Sequence, residues 1–126
     1  MVPVAKVNVA EKLAAIDEYW SPRVAGALNG QHVKLVKLLG DFTWHTHDDE
    51  DEMFFVVKGQ FRLELRHGDR DDALDLHEGE FAIVPRGVEH RPVAEHEAHV
   101  LLVETAGTVN TGAVRNEFTV EEARPV

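Results

Sequence analysis

The sequence predicts an all-β domain, a sandwich or barrel of short strands, preceded by one short helix. Three observations carry that expectation. Helical spacing of apolar residues is confined to the start of the chain. Beyond Ser21-Pro22 the apolar residues recur with a period of two, in short runs. Turn signals separate those runs at regular intervals: Lys58-Gly59, His67-Gly68-Asp69, Glu78-Gly79 and Pro85-Arg86-Gly87.

The helix is expected over about residues 8–20. Asn8 can cap it, with Glu11 placed to complete a capping box. Leu13, Ile16 and Trp20 share its apolar face, and Ser21-Pro22 ends it. The strand candidates follow in order: residues 33–39, 53–57, 61–66, the pair Leu74 and Leu76, 81–84 and 100–103. In 61–66 the alternation is strict, with Phe61, Leu63 and Leu65 facing inward. Phe54, Val56, Leu74 and Leu76 are assigned to the same interior. Residues 117–120 offer a final edge strand. The 126 residues are expected to form one domain, with a barrel over about 32–104 and a tail over 105–126.

Composition narrows the chemistry. The chain has no cysteine, which excludes disulfides, thiolate metal sites and cysteine nucleophiles. A metal would have to be held by imidazole and carboxylate. The formal net charge of −10 argues against nucleic acid as a partner. No apolar run is long enough to span a membrane, and the N-terminus lacks the order of a signal peptide, so a cytoplasmic location is expected.

Four groups stand out by their spacing. His45 and His47 are separated by one residue, which on a strand puts both rings on one face. Glu52 follows an acidic loop and opens the strand 53–57, which is expected to return beside His45. His90 comes after the turn Pro85-Arg86-Gly87 and is expected to add a third imidazole from the opposite wall. Three neutral imidazoles and one carboxylate suit a first-row divalent ion and leave one or two positions for water or substrate. The other histidines, His32, His67, His77, His96 and His99, stand alone and are read as surface or core residues. Trp44, Phe54 and Phe55 are read as packing, and Arg86 and Arg91 as solvated surface.

Residues 40–59 read G-DFTW-H-T-H-DDED-E-MFFVVK-G and resemble the first cupin motif, H-x-H-x4-E-x6-G. Residues 79–90 read G-EFAIV-P-R-G-VE-H and resemble the second, G-x5-P-x-G-x2-H. Gly40 lies one residue closer to His45 than usual, and Ala94 stands where the second motif often ends in asparagine. The resemblance implies a double-stranded β-helix, or jelly-roll, fold. It also implies one divalent metal (Zn, Mn, Fe or Ni) on His45, His47, Glu52 and His90. The short stretch between the motifs resembles the small bacterial cupins labelled mannose-6-phosphate isomerase-like. A complete ligand set with open positions suits a metal-dependent enzyme acting on a small polar metabolite, of isomerase/lyase or dioxygenase type. The alternative is a metal-dependent binding or sensing module without turnover. No general base beyond the ligands is evident among the inward residues. A homodimer is expected, because Met53, Phe55 and Val57 form an outward apolar row that either a second subunit or the N-terminal helix must cover.

Overall fold

The computed structural model describes residues 3–126. Helix α1 (Val9–Ala14) begins as expected, with the Asn8 side chain accepting from the Glu11 backbone N–H at 3.0 Å. It stops at Ala14, well short of Ser21-Pro22. The cause is tertiary. Lys37 Nζ donates to the Ile16 carbonyl at 2.5 Å, and the Trp20 N–H donates to the Lys37 carbonyl at 2.9 Å. These bonds draw residues 16–20 out along the neighbouring strand, where Tyr19 bridges Lys37 in parallel.

That strand is β2 (Gln31–Asp41), and it pairs with β1 (Arg23–Leu28), a strand the periodicity analysis missed. Asn29-Gly30 closes the hairpin with φ of 50° and 75°. Two left-handed residues are what a type I′ turn requires, and Asn-Gly supplies them at little steric cost.

The remaining strands are β3 (Glu52–Lys58), β4 (Gln60–His67), β5 (Arg70–His77), β6 (Phe81–Val84) and β7 (Glu89–Thr105). All pair antiparallel, in the order β1-β2-β7-β3-β6, with β4 joining β5 to β7. The long β7 links the two halves of the jelly-roll barrel. Its first residues, 89–93, pair with β4, while residues 99–104 pair with β3. Its other edge follows β2.

The core alternates as the period of two requires. Phe54, Val56, Phe61, Leu63 and Leu76 are buried, and Leu65 packs against them. Leu74 departs from expectation and is 42% exposed. It lies on β5, which bonds only to β4, so nothing covers its end of the hairpin. A second cluster joins Leu13 and Ile16 to Leu35 on the outer face of β2. Val57 packs against this cluster, so that end of the outward apolar row is covered from within the chain. Residues 117–120 form turns and not a strand. The chain instead meets β1 beyond them, where Val24 bridges Pro125.

Candidate metal centre

His45, His47, Glu52 and His90 come together inside the barrel, and all four are buried. One ligand-type atom from each lies within 4.8 Å of all the others. Ligands at about 2.0–2.2 Å from one ion are separated by about 3–4.4 Å, so a closure of a few tenths of an ångström completes the site.

The route to convergence differs from expectation. His45 and His47 do not lie on a regular strand. They occupy the loop after β2, where His45 makes only a two-bond bridge to His90. In that bridge His45 N–H donates to the His90 carbonyl at 3.1 Å, and His90 N–H donates to the His45 carbonyl at 2.9 Å. His90 is therefore the immediate neighbour of His45 and not a ligand from the opposite wall. Glu52 opens β3 as expected, but β3 lies between β6 and β7 and does not return beside His45.

The ring orientations are fixed by backbone. His45 Nδ1 lies 3.0 Å from the Thr43 carbonyl, and His90 Nδ1 lies 2.9 Å from the Val88 carbonyl. A carbonyl only accepts, so Nδ1 donates in both rings and Nε2 is the free ligand atom of the neutral form. His90 Nε2 then faces Glu52 Oε1 at 3.2 Å. His47 Nε2 lies 3.4 Å from the same oxygen, yet it is buried without a hydrogen-bond partner. Lone pairs facing a carboxylate in a buried site call for positive charge between them, and one divalent ion supplies it. The cluster thus fits a single divalent transition metal.

The electrostatics agree. Burial, then the neighbouring His90, pushes His45 down to about 4, which keeps its ring neutral and ready to ligate. Burial opposes ionisation of Glu52, but the His47 and His90 rings that face it outweigh burial and hold the carboxyl well below the usual range.

A further buried pair was missed by sequence reasoning. Lys34 Nζ and Glu104 Oε1 form a 2.8 Å ion pair, and both side chains are almost fully buried. Burial first, and then the charge of Glu52, pushes Glu104 up to about 9. The signal was present: Lys34 continues the inward series of Val36 and Leu38, and Glu104 that of Val100 and Leu102.

The other expectations divide. Phe54 is core, with its ring 5.9 Å from that of His90. Trp44 is half-buried under the guanidinium of Arg66, 3.8 Å from its ring. Arg86 is exposed near Asp51, whereas Arg91 is half-buried and donates twice to Glu64, at 2.6 and 2.9 Å. The isolated histidines join no metal-ligand cluster among the described residues.

A barrel of this topology carrying this donor set defines a metal-binding cupin. Residues 34–105 match the Cupin domain family Cupin_2, and the chain belongs to it. It is 38% identical to protein NMB1881 from Neisseria meningitidis, covering 81% of this chain and 100% of that one, with a TM-score of 0.72. It is 37% identical to a cupin-2 domain protein from Shewanella frigidimarina, covering 79% and 93%, with a TM-score of 0.68. It also matches the uncharacterized protein YdbB of Bacillus subtilis at 31% identity over 64 residues, which spans 51% of this chain and about half, 54%, of that relative.

Proposed function

We propose that this cupin is a metal-dependent enzyme acting on a small polar metabolite, of isomerase/lyase or dioxygenase type. His45, His47, Glu52 and His90 hold the ion in this reading. The observation that supports it is the donor set: three imidazoles and one carboxylate leave a first-row ion one or two positions for water or substrate. No general base beyond the ligands is evident among the inward residues, which fits oxygen chemistry or simple binding at least as well as isomerisation. The alternative is a metal-dependent small-molecule binding or sensing module without turnover.

Elemental analysis of protein purified without added metal is the first test. About one first-row metal per chain is expected, and content well short of that would overturn the reading. Chelation should lower the melting temperature, since an ion present at 100 times its Kd stabilises by about 2.7 kcal/mol. Iron-loaded protein screened for oxygen uptake and for isomerisation against small polar metabolites separates the branches. No turnover with any metal favours the sensing module.

We also propose a homodimer through the outer face of β3 and β6. Met53 pairs with Ile83 and Phe55 with Phe81. Ile83 and Phe81 are 57% and 59% exposed, on the strand that ends the sheet. The same apolar face used twice gives an isologous contact. Light scattering should give twice the 14.1 kDa chain mass for the wild type and a folded monomer for Phe81→Glu. A wild-type mass of 14.1 kDa ends this reading.

A further inference from the structure

Among the described residues, the buried polar side chains other than the three ligand histidines and Thr111 form one row of ionisable groups. Lys34 on β2, Glu104 on β7 and Glu52 on β3 lie on three adjacent strands, and Glu52 and Glu104 are directly opposite each other in the β3–β7 register. Lys34 Nζ donates to Glu104 Oε1 at 2.8 Å and to the Thr108 carbonyl at 3.2 Å. Glu104 Oε2 is buried with no hydrogen-bond partner. Glu52 turns its Oε1 toward the rings of His90 and His47. Glu104 is not among the converging ligand groups.

A lysine and a second carboxylate in an apolar interior are costly to bury and add little stability even when paired. From this row we infer that Glu104, anchored by Lys34, is a positioning residue that fixes the Glu52 carboxylate toward the three imidazoles. Lys34 secures one oxygen of Glu104. The other is buried without a partner, on the residue directly opposite Glu52. Glu52, like His47, has no backbone partner to orient its side chain, whereas His45 and His90 are each held by a carbonyl. Partners of this kind around a metal typically change its affinity about 10–100-fold.

The inference rests on the metal centre proposed above, and the test keeps the two apart. Affinity for Zn²⁺ and Co²⁺ is measured by competition with a chromophoric chelator, together with the Co²⁺ absorption spectrum. The proteins compared are the wild type, Glu104→Ala, Glu104→Gln and His67→Ala. Glu104→Ala should lose about 10–100-fold in affinity and show an altered Co²⁺ spectrum. Glu104→Gln should recover most of both, because its amide accepts from Lys34 and donates toward Glu52. His67→Ala should match the wild type. If Glu104→Ala does not fold, Lys34→Met/Glu104→Leu removes both polar groups together and should show the same loss. Wild-type affinity and spectrum in a folded variant lacking the Glu104 carboxyl overturn the positioning role. A wild type that binds neither ion overturns the metal centre itself.

Discussion

His47→Ala should purify with little or no metal, while His67→Ala should retain the wild-type content. The contrast follows from position. His47 Nε2 is buried, lacks a hydrogen-bond partner and faces the Glu52 carboxylate that His90 also faces. His67 is exposed at the end of β4 and belongs to no ligand cluster. Removing a ligand should weaken binding by more than the about 10–100-fold typical of partners around a site. The variant should still fold, because His47 belongs to neither hydrophobic cluster. Elemental analysis of both variants, prepared in parallel, decides the matter. Equal metal in the two would mean that His47 is not a ligand.

Gly112→Ala should destabilise the protein by about 2–4 kcal/mol and weaken metal binding with it. Gly112 has φ +60°, and a Cβ there would lie 2.1 Å from the Thr46 carbonyl oxygen. That neighbour is backbone and cannot rotate away. Thr46 sits between His45 and His47, so the chain that must shift is the one carrying two ligands. The segment around Gly112 is itself anchored: Asn110 donates to the Phe118 carbonyl, and the Phe118 ring packs on Phe42 and Trp20. Gly68→Ala is the control. Its φ is +66° with nothing within 4 Å of the added carbon, so it should cost only about 1 kcal/mol of backbone strain. Urea unfolding and metal titration of both variants test the claim. Equal losses would show that crowding at Thr46 is not the cause.

Much of the site was legible in the sequence because its signal is local. The H-x-H-x4-E spacing and the later G-x5-P-x-G-x2-H placed the four groups in a recognisable order, and the absence of cysteine fixed the donor type. Period-two alternation likewise marked Phe54, Val56, Phe61, Leu63 and Leu76 as core, because side chains on a strand point alternately to its two faces. Asn29-Gly30 carried a hairpin signal that the sequence reading did not use, because β1 itself lacks clear alternation.

What only the tertiary structure decided depends on which strand lies beside which. Helix α1 ends at Ala14 because Lys37, far along the chain, captures the Ile16 carbonyl. His45 meets His90 through a backbone bridge, and Leu74 is exposed because β5 has no second neighbour. The Lys34–Glu104 pair beside Glu52 exists only because β2, β7 and β3 are adjacent. The sequence by itself determined the strand faces, the ligand types and their order, since these follow from spacing along one segment. Strand adjacency is set by long-range pairing across the barrel, and no local spacing encodes it.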